Sequence, residues 1–146
     1  IIVEIGSFAG KSSELFALHC ARLFCVDIWK EYWEIDGETL DRAELQFDEM
    51  CKNYHNIHKI KMNSVEAASS FGPESVDLVY IDAAHDYENT ATDIRTWLPK
   101  VRKGGILAGH DYRYDPQIQV YEAVNEIFGQ DYMIETYPDS SWTIRK

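Results

Sequence analysis

Short apolar runs alternate along this chain with segments whose apolar residues recur at three- and four-residue steps, the pattern of strands alternating with amphipathic helices. Ile1-Ile2-Val3-Glu4-Ile5 reads as a first strand and Leu23-Phe24-Cys25-Val26-Asp27-Ile28 as a second, both mostly apolar, as strands covered on two faces must be. Between them Ser12 or Ser13 is placed to cap a helix, with Leu15, Phe16, Leu18 and Leu23 on one apolar side and Glu14 near its positive end. The pattern lapses over 30–37 into a loop of aromatics and acids, and resumes as a helix through Leu40, Ala43, Phe47, Met50 and Tyr54. Asn56 to Met62 predicts a third strand, Val65 to Phe71 a short helix, and Gly72-Pro73 a break before the strand Val76-Asp77-Leu78-Val79-Tyr80-Ile81-Asp82. Asn89 to Val101 predicts a helix with Ile94, Trp97, Leu98 and Val101 inward, stopped by Gly104-Gly105 ahead of the strand Ile106-Leu107-Ala108. Pro116 starts one more helix through Val120, Val124 and Ile127, and Tyr132 to Tyr137 with Ser141 to Arg145 reads as an antiparallel hairpin. The alternation predicts an α/β fold with a mainly parallel sheet.

Length and charge narrow this picture. A chain of 146 residues with 45% hydrophobic content fits one domain with one sizeable core. No apolar run is long enough to span a membrane and no basic-then-apolar leader is present, so a cytoplasmic location is the default. The formal charge of −11 opposes a phosphate backbone, which predicts no nucleic-acid partner. Cys20, Cys25 and Cys51 sit among apolar neighbours without ligand spacing and read as buried thiols. The chain opens on a core strand without an initiator Met, which suggests that residues 1–146 form a single domain lacking some N-terminal residues.

The turn after the first strand carries the chemistry. Gly6-Ser7-Phe8-Ala9-Gly10 lets backbone approach a ligand, which alone is weak evidence. A dinucleotide site needs glycine where Phe8 stands, and Glu4 two residues before Gly6 opposes a phosphate while suiting a ligand with an ammonium and a sulfonium. A P-loop needs four residues between its glycines, and Gly6 and Gly10 enclose three. Asp27 ends the second strand, where a carboxylate can accept both hydrogen bonds of a ribose diol. Asp82-Ala83-Ala84-His85 follows the fourth parallel strand and Gly109-His110-Asp111-Tyr112 the fifth, at the same carboxyl edge. Asp82 and Asp111 offer hard oxygen donors suited to Mg²⁺, while either histidine can ligate a softer ion or act as a general base. Tyr112, Tyr114 and Trp29 either line an acceptor pocket or cover the sheet edge, with Tyr112 the better pocket candidate.

Glu4-Ile5-Gly6-Ser7-Phe8-Ala9-Gly10-Lys11-Ser12 resembles the first motif of the class I S-adenosylmethionine-dependent methyltransferases, in the variant of catechol-type and macrocin-type O-methyltransferases. Val26-Asp27-Ile28-Trp29, Ile81-Asp82, Gly104-Gly105-Ile106 and the terminal hairpin follow in the family's order. The resemblance implies a Rossmann-like doubly wound sheet of about seven strands, order 3-2-1-4-5-7-6, with strand 7 antiparallel. It implies that Glu4 and the loop of Gly6, Ser7, Phe8 and Gly10 face the methionine part of the cofactor, Asp27 the ribose, and Ile28, Trp29 and Ser64 the adenine, with Ser12 and Asp82 also among the cofactor-binding residues. It further implies Asp82 and Asp111 as ligands of Mg²⁺ or another divalent metal, joined by His110, and His85 as the base that deprotonates an acceptor hydroxyl. His110 stands where the family has an acid, and this departure leaves metal dependence open. The function expected is methyl transfer to a small-molecule hydroxyl, sugar-like among the options. The alternatives are an N or carboxylate acceptor without metal, or a cofactor-binding module without turnover. Homo-oligomeric assembly stays open.

Overall fold

The computed structural model describes residues 1–30, 35–113, 115, 117–129 and 131–146. In chain order the elements are β1 (Ile2–Ile5), α1 (Lys11–Ala17), β2 (Leu23–Asp27), α2 (Gly37–Cys51), β3 (Ile57–Lys61), α3 (Ser64–Ala67), β4 (Val76–Ile81), α4 (Tyr87–Trp97), β5 (Val101–Gly109), α5 (Val120–Phe128), β6 (Glu135–Thr136) and β7 (Trp142–Arg145). Much of the aromatic and acidic loop read over 30–37, Tyr114, and the helix start read at Pro116 lie outside the described residues. No helix among the described residues is long and apolar enough to cross a membrane.

The described strands form one seven-stranded sheet in the order β3-β2-β1-β4-β5-β7-β6. β1 pairs in parallel with β2 and β4, while β7 runs antiparallel to both β5 and β6. This is the doubly wound, Rossmann-like order expected. Helices cover both faces. Ala17 of α1 and Phe47 of α2 pack on Leu23 and Cys25 on one side, and Ile94 and Trp97 of α4 with Val124 and Phe128 of α5 pack on Val3, Ile5 and Val79 on the other.

The first helix departs from the expected pattern. Its inward residues are Ser13 and Ala17, while Leu15 and Leu18 are 58% and 66% exposed. Glu4, fully buried on the α1 face of β1, explains the reversal: a buried carboxyl needs donors, and the Ser13 hydroxyl supplies one. Neither Ser12 nor Ser13 caps the helix, whose N-cap is Gly10 at φ +86°. Gly104-Gly105 likewise does not separate helix from strand. β5 starts at Val101 and runs through both glycines, with a register shift against β4 between Val76 and Leu78 and Gly104 at φ +72°.

Candidate active site

All the loops at the carboxyl ends of β1 to β5 open on one cleft of about 680 Å³, within the ordinary range for small-ligand sites. The loop after β1 contributes Gly6, Ser7, Phe8 and Ser12, and the end of β2 contributes Asp27 and Ile28. Ser64 and its neighbours Met62, Asn63 and Val65 enter from the end of β3, and Asp82, His85, His110 and Asp111 from the ends of β4 and β5. Eleven of the residues predicted from sequence thus share one cavity: Gly6, Ser7, Phe8, Ser12, Asp27, Ile28, Ser64, Asp82, His85, His110 and Asp111.

Glu4, Gly10 and Trp29 lie beside this cavity and are not among the residues that line it. Glu4 lies beneath the glycine loop, hydrogen-bonded by Ser13 and the Cys25 thiol. Burial pushes its pKa up, opposed by the surrounding Ser12, Ser13 and Ser7 hydroxyls. Its Oε1 is sealed without a hydrogen-bond partner among the described residues. Gly10 faces α2, where a Cβ would stand 2.4 Å from the Met50 methyl and 3.2 Å from the Phe47 ring. Trp29 is 2% exposed and packs on Phe47, its rings at 4.9 Å between centroids. Tyr112, the acceptor-pocket candidate, turns away to pack on Tyr121 and donates to Asn125.

Trp29 nevertheless shapes the cleft from below. Its Nε1 donates to the Phe8 carbonyl at 2.8 Å, and the Phe8 backbone N–H donates to Asp27 Oδ2 at 2.9 Å. Asp27 Oδ1 in turn accepts from the Trp29 backbone N–H at 2.8 Å. These three bonds lock the glycine loop to the end of β2 and hold Phe8 at φ +45° with its ring in the cleft. Each Asp27 oxygen keeps a second acceptor position for a ligand hydroxyl. Gly6, at φ +88°, lets the loop pass the end of β4, since a Cβ there would fall 2.1 Å from the Asp82 carbonyl oxygen.

At the other end, His85 Nε2 lies 3.1 Å from Asp111 Oδ2 and 3.9 Å from Asp82 Oδ1. His110 Nδ1 lies 3.2 Å and 3.9 Å from the same two oxygens. Donor atoms of Asp82, His85 and Asp111 all fall within 4.8 Å of one another, a spacing that fits one divalent ion. The three-residue set therefore includes His85, read from sequence as a base, in the place expected for His110. Asp111 adopts φ +57°, an unusual conformation that short polar side chains tolerate, with Arg113 3.6 Å from its other oxygen.

Asp93 is the residue that sequence reasoning missed. It lies on α4, is 6% exposed, lines the cleft and accepts from Ser64 Oγ at 2.5 Å. Burial, with the Asp86 charge adding to it, pushes its pKa up to about 6 against the bond from Ser64. Ser64 accepts from Trp97 Nε1 at 2.8 Å, and Asn63 rather than Ser64 caps α3. The signal was an acid on the same helical face as Thr90, Ile94 and Trp97.

Known proteins resemble this chain over most of its length. The model of a family described as methyltransferase domain matches residues 3–112. The uncharacterized protein R132 of Acanthamoeba polyphaga mimivirus is 29% identical over 134 residues, covering 86% of this chain and 58% of that protein. The uncharacterized protein y4gI of Sinorhizobium fredii is 25% identical over 118 residues, covering 75% of this chain. The chain spans 58% and 13% of the length of these two relatives. Among solved structures, SMU.1697c of Streptococcus mutans, crystallised in complex with S-adenosylhomocysteine, superposes with a TM-score of 0.73 at 14% identity over 99% of this chain and 87% of that one. CalS11, a TDP-rhamnose 3'-O-methyltransferase of calicheamicin biosynthesis, gives 0.66 at 17% identity over 99% of this chain and 70% of that one. With the family match spanning the glycine loop, Asp27 and the Asp82 to Asp111 cluster, this chain belongs to the methyltransferase-domain family.

Proposed function

We propose that this chain catalyses S-adenosylmethionine-dependent methyl transfer to a hydroxyl of a small-molecule acceptor. The observation that carries the reading is one continuous cleft with the glycine loop and Asp27 at one side and the His–Asp cluster at the other. The fold shared with an S-adenosylhomocysteine complex and with a sugar O-methyltransferase supports it. When bound, S-adenosylmethionine supplies a methyl group on a sulfonium centre, open to in-line displacement by an oxygen nucleophile. The protein's part is positioning and proton removal. The Gly6–Ser7 backbone and Asp27 would hold the methionine and ribose parts, and Ile28, Met62 and Val65 give apolar surface beside the base.

His85 is the proposed base. A proton taken up at Nε2 is held between Asp111 and Asp82, so the imidazolium forms beside carboxylates that stabilise it. Asp82 and Asp111, with His85 or His110 beside them, would hold a divalent ion, whose Lewis acidity lowers the pKa of an alcohol. The 3.1 Å His85–Asp111 contact also favours a second reading, in which this pair works without metal on an N or carboxylate acceptor. The net charge of −11 argues for a small acceptor over a nucleic acid.

Calorimetry with S-adenosylhomocysteine tests the cofactor: micromolar binding is expected, and no binding by folded protein defeats the proposal. Mn²⁺ titration in its presence separates the two readings. Binding that disappears in the Asp82→Ala, Asp111→Ala double variant supports the metal-assisted route, and absence of any metal binding supports the His–Asp pair.

A further inference from the structure

Lys59 sets a cation against the aromatic pair that underlies the cleft. It lies on β3, the edge strand of the sheet, beside Cys25 of β2. Its ammonium stands 4.6 Å from the centre of the Trp29 ring and 5.9 Å from that of Phe47. Two carboxylates of α2 fix it there, Glu44 Oε1 at 2.7 Å and Asp48 Oδ1 at 2.6 Å. Glu44 is itself held through its other oxygen by Lys61 at 2.6 Å. Burial lowers the pKa of Lys59, but the bonds to Asp48 and Glu44 outweigh it and hold the pKa above its ordinary value, so the group over the ring is an ammonium at neutral pH.

Tying α2 to β3 needs only the carboxylates. A cation over an indole face does more: it draws the ring's electron density toward itself, which pins the ring and leaves the Nε1–H a stronger donor. That N–H goes to the Phe8 carbonyl at 2.8 Å. Phe8 sits at φ +45°, a conformation that a residue with a side chain keeps only when its surroundings enforce it. Lys59 and Trp29 lie outside the cleft lining, whereas Phe8 is part of it. We infer that Lys59 is a positioning residue for the glycine loop: its charge, acting through the Trp29 indole, fixes the Phe8 carbonyl and so raises the cleft's affinity for the cofactor. The inference rests on the cofactor reading above.

Lys59→Gln removes the charge while keeping N–H donors for Glu44 and Asp48, and Lys59→Arg restores a cation that can cover an indole. Calorimetry with S-adenosylhomocysteine is expected to show Lys59→Gln binding about three- to tenfold more weakly than wild type, the range of a cation–π contact, and Lys59→Arg within about twofold of it. A double-variant cycle separates positioning from simple bracing. In a Trp29→Phe background, where the indole donor is gone, Lys59→Gln is expected to change the affinity by less than about twofold. Without ligand, the Trp29 indole N–H resonance, identified by its loss in Trp29→Phe, is expected to move upfield in Lys59→Gln as its hydrogen bond weakens. Wild-type affinity in folded Lys59→Gln overturns the inference, as does an equal loss in both backgrounds. If Lys59→Gln does not fold, Lys59→Met, which keeps the apolar stem, takes its place in the same cycle. Failure of folded wild type to bind S-adenosylhomocysteine defeats the cofactor reading itself. The indole resonance then decides the role of Lys59 in the loop, and an unmoved signal overturns it.

Discussion

Single residues here serve two demands, and Asp93 shows the conflict most directly. Its pKa rises from 3.8 to about 6, so between those values the folded protein holds a proton that the unfolded chain has released. Stability attributable to this group is therefore lost as pH rises through that window, on the order of 3 kcal/mol at neutral pH. Urea unfolding of wild type and Asp93→Asn is expected to agree near pH 4 and to show the variant more stable by one to a few kcal/mol, roughly, at pH 7.5. Trp29 makes the opposite kind of contribution. Trp29→Phe keeps a ring against Phe47 but removes the donor to the Phe8 carbonyl, which is expected to cost about 1 kcal/mol and to weaken S-adenosylhomocysteine binding several-fold by freeing the loop. Spacing made Asp27 readable because a strand end fixes where its side chain emerges. Asp93 was not readable that way, because its partner Ser64 lies twenty-nine residues earlier and only the packing of α3 on α4 joins them. The surroundings of Trp29 were hidden for a related reason: the sequence shows an aromatic just after β2, but not that its N–H turns inward to a carbonyl.

Among elements, the strands were the easiest to read, because β1, β2 and β4 are covered on both faces and must be apolar almost throughout. α1 was misread because its inward face answers to one buried carboxyl, so small hydroxyl and methyl side chains replace the leucines that periodicity favoured. β5 was read too short because Arg102 and Lys103 lie at a sheet irregularity where the apolar pattern lapses. The glycine loop shows how differently two glycines in one element can matter. Gly10→Ala meets the flexible end of Met50 and carries chiefly the left-handed backbone penalty, about 1–2 kcal/mol. Gly6→Ala meets the Asp82 backbone, which cannot step aside without parting β1 from the β4 loop. Equilibrium unfolding is expected to show Gly6→Ala the more destabilised of the two, and calorimetry to show its cofactor binding lost while Gly10→Ala retains part of it.

At the scale of the whole molecule, the sheet order followed from the family resemblance rather than from periodicity, which cannot tell that β7 inserts between β5 and β6. That insertion makes the last strand internal: Trp142 and Ile144 are 0% and 1% exposed, and Trp142 packs on Phe128. Trp142→Ala is expected to cost about 3–5 kcal/mol in denaturant unfolding. It should also disturb the cluster, because Trp142 pairs with Gly109, the residue before His110, and the Tyr112 N–H donates to the Ser140 carbonyl. The placement of β7 bears on the order in which the protein is made. A nascent chain can assemble the glycine loop and Asp27 early, from neighbouring segments, but until residues 140–145 emerge β5 presents a bare edge and the His110–Asp111 turn has no clamp. On the proposed reading, cofactor affinity is acquired during synthesis before catalytic competence, so that an unfinished chain would hold the methyl donor without yet being able to use it.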